Sequence, residues 1–258
     1  MIAPGKTREH FFVKVQRQDG PSQPSYWETF KVDYRPNMNV ISALQKVATT
    51  PVTTEGKEVE PIIWDACCLE EVCGACTMVI NGHVRQSCST LVDEILDETG
   101  TFTLTPMTKY PVVRDLFVDR SRMFEALKKV KAWVPIDGLH NLGAGPQESP
   151  ESQADRYKYS RCMTCGCCTE ACPQFTPDND FVGPAVFGQT YYFNEHETGK
   201  RLKEERLRTL MGPGGITDCG NAQNCAHVCP KEIPLTEAIA KIGRQVTIQA
   251  MKDFFSGK

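Results

Sequence analysis

Cysteine is the residue type whose spacing does the most in this sequence: thirteen of 258 residues. Cys68, Cys73 and Cys76 in "CCLEEVCGAC" follow the C-x4-C-x2-C spacing of plant-type [2Fe–2S] sites, with Cys88 as a distant fourth thiolate. A second run, "RCMTCGCCTEACPQ", has Cys162, Cys165, Cys168 and Cys172 followed by Pro173. That is the C-x2-C-x2-C-x3-C-P ruler of cubane clusters. A third, "DCGNAQNCAHVCPK", puts Cys219, Cys225, Cys229 and Pro230 on the same ruler but carries Ala222 where the second thiol belongs.

In two-cluster sites the fourth cysteine of each run ligates the other cluster. Applied here, Cys162, Cys165, Cys168 and Cys229 are the expected ligands of a [4Fe–4S] cluster. Cys172, Cys219 and Cys225 form the second set. Three thiolates suit a [3Fe–4S] cluster, a cube lacking one iron corner. A full cube with water, hydroxide or another residue at the Ala222 corner is the alternative. Cys67 and Cys167 fall off both rulers and are expected to be spare thiols. Zinc is the competing metal for all three groups, and would make the chain an interaction module without redox chemistry.

The bulk properties narrow the class. Net charge is −3 and there is no long basic block, which argues against nucleic acid as a partner. The start, "MIAPGKTREHFFVKV", lacks an apolar signal core. The uncharged stretch from Phe181 to Phe193 is too short to span a bilayer and contains Gly and Pro; it reads as core or as a contact with a membrane subunit. A soluble or peripheral cytoplasmic protein is expected, in a reducing compartment where thiols bind metal rather than form a disulfide scaffold. No phosphate loop, dinucleotide fingerprint, hydrolytic triad or acid–base pair stands out, so substrate chemistry is expected on another chain.

The elements around the cysteines follow from periodicity. Phe11, Val13 and Val15, then Phe30, Val32 and Tyr34, alternate with polar residues as half-buried strands do. Asn39 is placed to cap a helix with Val40, Leu44, Val47 and Ala48 on one face. "TMVINGHVR" predicts a hairpin about Asn81-Gly82, which suits a type I′ turn and returns Cys88 beside Cys76. "TFTLT" predicts a further strand. Gly74 and Ala75 keep the ligand loop small enough for backbone N–H groups to approach sulfur. Beyond it, Leu116, Phe117, Met123, Phe124 and Leu127 read as helical, and "DGLHNLGAGPQESPESQ" as a connector. A last helix is expected from about Leu235 to Phe254, with Leu235, Ile239, Ile242 and Val246 on one stripe. His227, between two cysteines, reads as an exposed or cluster-adjacent histidine. Trp133 reads as packing, and "DRSRMFEALKKVK" as a solvated helix face.

The segments "CLEEVCGACTMVINGHVRQSC", "PVVRDLFVDRSRMF", "KAWVPIDG", "CMTCGCCTEACP", "FVGPA" and "CGNAQNCAHVCPKEIPLTEAI" together resemble the iron–sulfur subunit of succinate dehydrogenase and fumarate reductase. The resemblance runs over essentially the whole chain. It is strongest to the menaquinone-linked bacterial branch that uses one di-haem cytochrome b anchor. It implies an α+β chain: a plant-type ferredoxin (β-grasp) domain over 1–108, a linking helix and connector over 109–153, and an all-α dicluster domain over 154–258.

The resemblance also implies a role. A flavoprotein partner oxidises succinate on FAD, and electrons pass through [2Fe–2S], [4Fe–4S] and [3Fe–4S] clusters to quinone or haem b in the membrane anchor. The complex would sit on the cytoplasmic face of the cell membrane. Fumarate reductase, the same chemistry in reverse, is the close alternative. Ubiquinone-reducing members carry a tryptophan shortly after the first C-P and a histidine after the first late cysteine. This chain has Pro177 and Gly220 in those neighbourhoods, which points to menaquinone reached through haem.

Overall fold

The computed structural model describes residues 8–135 and 147–257. The chain divides into two compact units, Met1–Arg120 and Ser121–Lys258.

The first unit is a mixed sheet with a helix packed on it. Its strands are β1 (His10–Arg17), β2 (Tyr26–Asp33), β3 (Thr77–Ile80), β4 (His83–Gln86) and β5 (Thr101–Thr105), in the order β2-β1-β5-β3-β4. β1 and β5 run parallel and the other neighbours antiparallel. Phe11, Val13 and Val15 are fully buried on one face of β1, and Phe30 and Val32 continue that face on β2. Helix α1 (Val40–Thr49) covers it with Val40, Leu44 and Val47. Asn39 caps α1, its Oδ1 accepting from the Ser42 N–H at 2.8 Å. The β3–β4 hairpin pairs Ile80 with His83, and Asn81 and Gly82 both take positive φ (49° and 77°), the requirement of a type I′ turn. The one-turn helix α2 (Val92–Ile95) completes the sheet's connections.

The helix expected to include Leu116 and Phe117 starts later. Those residues lie at a small hairpin of β6 (Val112–Arg114) and β7 (Phe117–Val118), and α3 (Ser121–Lys129) follows. The cause is Asp115, fully buried with a left-handed φ of 48° and held by Arg17. A buried ion pair outweighs local helical periodicity. This hairpin lies in the first unit, which extends through Arg120.

The second unit is helical: α3, α4 (Pro150–Ser160), α5 (Cys167–Glu170), α6 (Pro184–Glu195), α7 (Lys203–Met211), α8 (Asn224–His227) and α9 (Leu235–Ser256). Most of the predicted connector, residues 137–146, lies outside the described residues. Its end is helix α4, started by the Ser149 cap and Pro150 in the first turn. The uncharged stretch from Phe181 is core: Phe181, Val186, Phe187 and Tyr191 are buried as α6 packs against α4 and α9. On α9, Leu235, Ile242 and Val246 face inward, while Ile239 is half-buried. Three helices meet where Asp155 accepts from the Tyr191 hydroxyl at 2.7 Å and from Lys241 Nζ at 3.1 Å.

Candidate metal centres

In the first unit, the segment between Cys68 and Cys76 wraps its backbone N–H groups around sulfur. The Glu70, Val72 and Cys73 N–H groups donate to Cys68 Sγ at 3.3–3.5 Å. Ala75 N–H donates to Cys73 Sγ at 3.4 Å, and Glu71 N–H to Cys88 Sγ at 3.3 Å. The loop achieves this with left-handed backbone at Leu69 and Glu71 as well as Gly74. Non-glycine residues adopt that conformation at a cost, so the turn is over-determined by its contacts. The hairpin supplies the fourth sulfur: Thr77 pairs with Gln86, and Ser87 N–H donates to the Cys76 carbonyl at 3.2 Å. Cys88 therefore lies beside Cys76.

The charge environment of these thiols is split. The N–H groups of Glu70 and Val72 pull Cys68 down to about 7, so it favours thiolate. Burial pushes Cys76 up to about 12. Cys67 is exposed and lies against Cys73.

In the second unit the cysteines divide between two cavities. One is lined by Cys162, Cys165, Cys168 and Cys229, with the spare Cys167 also on its wall. The other is lined by Cys172, Cys219 and Cys225, with Ala222 also on its wall. The fourth cysteine of each run thus stands with the other run's first members. The short helices α5 and α8, which carry Cys168 and Cys225, pack against each other and bring the runs together. Burial raises Cys162 and Cys225 to about 11, and Cys168 well above the ordinary thiol value, each reinforced by neighbouring sulfurs.

Neutral buried thiols shed their protons only when a cation replaces them. The donor set is all sulfur, the choice of soft metals and iron–sulfur clusters. Among the described residues, no three potential ligands converge at the distances that hold one ion.

Residues that spacing could not identify complete the site. Gly220 is one. A Cβ there would come within 2.5 Å of Gln174 Nε2, so glycine lets that amide form part of the second cavity's wall. Arg122 is another: its guanidinium donates to the carbonyls of Thr176, Asn179 and Phe181 and lies 4.0 Å over the Phe175 ring, fixing the loop after Cys172. Its place in a charged helix read as solvated gave no hint of this. His227 is exposed on α8; Trp133, expected to pack, is exposed as well, and its carbonyl accepts from the fully buried Arg206.

A family model described as a 2Fe-2S iron-sulfur cluster binding domain matches residues 12–125, and a 4Fe-4S dicluster domain matches 158–233. The chain is 52% identical over 241 residues to the succinate dehydrogenase iron-sulfur subunit of Bacillus subtilis, covering 93% of this chain and 94% of that protein. It is 28% identical to the fumarate reductase iron-sulfur subunit of Wolinella succinogenes, covering 90% and 94%. Among solved structures, a chain of the Mycobacterium smegmatis Sdh1 complex in the apo form superposes with a TM-score of 0.78. It has 20% identity and covers 94% of this chain and 98% of that one, a likeness of fold.

Proposed function

Since the chain belongs to the family of succinate dehydrogenase and fumarate reductase iron–sulfur subunits, we propose that it carries electrons from a flavoprotein to a membrane anchor through three clusters. Cys68, Cys73, Cys76 and Cys88 would hold [2Fe–2S]; Cys162, Cys165, Cys168 and Cys229 would hold [4Fe–4S]; Cys172, Cys219 and Cys225 would hold [3Fe–4S]. When bound, such clusters supply one-electron carriers, which divide a two-electron oxidation into single steps.

The observation that carries this reading is the division of the later cysteines between two cavities: Cys162, Cys165, Cys168 and Cys229, with the spare Cys167, in one, and Cys172, Cys219 and Cys225 in the other. The chain's own residues set the conditions there. Backbone N–H groups stabilise negative sulfur in the first unit, and α5, α8 and Arg122 hold the ligand loops of the second. Ala222 leaves one corner of the third site without a thiolate.

The partners in this reading are an FAD-containing subunit that holds the dicarboxylate site and a haem b cytochrome anchor. Among the described residues no helix is long and apolar enough to cross a membrane, so attachment to the cytoplasmic face rests on the anchor. Menaquinone reached through haem is the quinone of this reading, because Pro177 and Gly220 stand where ubiquinone-reducing members carry a tryptophan and a histidine. The 52% identity to a succinate dehydrogenase subunit, against 28% to a fumarate reductase subunit, favours succinate oxidation as the direction.

Purification of a tagged chain from its own membranes tests the proposal. A flavoprotein and a haem b protein should accompany it, and the assembly should reduce a menaquinone analogue with succinate. The chain alone should not oxidise succinate. A colourless, zinc-containing chain that brings down no flavoprotein would refute the reading.

A further inference from the structure

Gln86 is a buried amide at the end of β4, only 2% exposed, beside a proposed cluster ligand. The Cys76 thiol donates to its Oε1 at 3.6 Å, and its Nε2 donates to Thr77 Oγ1 at 2.7 Å. The Thr77 hydroxyl donates onward to the Gly74 carbonyl at 2.9 Å. That carbonyl also accepts from Arg120 Nη1 at 2.8 Å. The chain of donors therefore starts at the proton of Cys76.

A cysteine bound to iron has no proton. The same arrangement would then set the carbonyl oxygen of Gln86 against a negative sulfur in a site closed to water, where an unpaired acceptor is costly. A half-turn of the amide about its last bond exchanges Oε1 and Nε2 with almost no change in occupied space. The amide N–H then faces sulfur and its carbonyl faces Thr77. The Thr77 hydroxyl turns its proton from Gly74 to Gln86, and Gly74 keeps the bond from Arg120. Along this circuit, sulfur, Gln86, Thr77 and Gly74 each have a partner in both states. The fourth member, Arg120, is what allows Thr77 to turn, and it is fixed in turn by Asp65 at 3.4 Å. A leucine would fill a buried position on this strand end without any such circuit.

We infer that in the loaded protein Gln86 donates a hydrogen bond to the Cys76 sulfur and thereby raises the reduction potential of the [2Fe–2S] cluster. A donor to a ligating sulfur withdraws electron density and favours the reduced cluster. The role is one of positioning and tuning, and it rests on the proposed ligation by Cys76.

The test is an EPR-monitored redox titration of the intact complex, wild type beside Gln86→Leu and Gln86→His. Gln86→Leu should shift the [2Fe–2S] midpoint downward and leave the other two clusters unmoved. Gln86→His, which can donate again, should recover part of the shift. An unmoved midpoint in a Gln86→Leu complex that retains its [2Fe–2S] signal overturns the inference. Should neither variant assemble the cluster, the wild-type complex decides: with glutamine isotopically labelled at its side-chain amide nitrogen, pulsed EPR of the reduced [2Fe–2S] signal should detect that nitrogen, and its absence overturns the inference. Failure of the ligand reading looks different: the [2Fe–2S] signal itself would be missing from wild type or untouched by Cys76→Ser.

Discussion

Arg17 and Asp115, 98 positions apart in sequence, meet in a two-pronged ion pair closed to water. Nε lies 2.8 Å from Oδ1 and Nη2 3.2 Å from Oδ2, with side chains 1% and 0% exposed. Asp115 also accepts from the N–H groups of Gln18 and Ile63 at 3.2 and 2.9 Å. One carboxylate thus ties the end of β1, the β6–β7 hairpin and the segment leading to Cys68. Burial alone would lower the pKa of Arg17, but Asp115 and Glu28 more than offset it and hold the guanidinium above its ordinary value.

Removing one member of this pair strands a buried charge. Asp115→Ala should destabilise the first unit by about 3–5 kcal/mol, whereas Asp115→Asn, which removes the charge but keeps an acceptor for the Gln18 and Ile63 N–H groups, should cost less. Urea unfolding followed through the visible absorbance of the cluster checks both. A loss near zero in Asp115→Ala would show that this carboxylate is not the anchor.

Protein purified without oxygen should contain about nine irons per chain with matching acid-labile sulfide, the content of the three proposed clusters. Metal analysis and sulfide release decide it. Zinc in place of iron, with no sulfide, would make the chain an interaction module.

Serine in place of Cys68, Cys73, Cys76 or Cys88 should perturb the [2Fe–2S] signal. Cys67→Ala and Cys167→Ala should leave all clusters formed, although Cys167 is buried on the wall of the first cavity. Low-temperature EPR of each variant reads the outcome. A cluster lost with either spare thiol would redraw the ligand set.

Ala222→Cys adds a thiol on the wall of the three-cysteine cavity. The third cluster should then recruit a fourth iron, and the air-oxidised variant should lose the paramagnetic signal of an oxidised three-iron core while iron content does not fall. An oxidised [3Fe–4S] core is all ferric and accepts an electron more readily than a [4Fe–4S] core, so the potential should drop and quinone turnover with it. If wild type never shows the three-iron signal, the missing thiol does not mark a missing iron.

The cluster of Asp155, Tyr191 and Lys241 predicts an acid effect. Burial pushes the Asp155 carboxyl up, but the Tyr191 hydroxyl and Lys241 ammonium outweigh it and hold its pKa below the usual carboxylate value. A depressed folded-state pKa contributes stability above the unfolded value, and that contribution disappears as pH falls through the folded one. Asp155 and Lys241 are 37% and 38% exposed, so the effect is about 1 kcal/mol or less. Asp155→Asn should flatten the acid side of the stability–pH curve; an unchanged slope would remove this carboxylate from the account.

Local rules in the sequence determined the strands, the Asn39 cap, the Asn81-Gly82 turn and the long last helix, because each depends on neighbours within a few residues. They also determined which thiols stand on a common ruler, since ligand spacing is itself a local property. Pairing between runs 50 to 60 residues apart was a rule carried in from general cluster chemistry; the two cavities arise from helix packing. Other features depended on contacts no short window contains. Leu116 and Phe117 have helical spacing, yet a buried carboxylate met by Arg17 turns them into a hairpin. The sheet seals Gln86 against Cys76, and Gln174 lies across Gly220, contacts that no local pattern contains. Burial and hydrogen-bond partnership at these positions come from chain segments far apart in sequence, and only the folded chain brings them together.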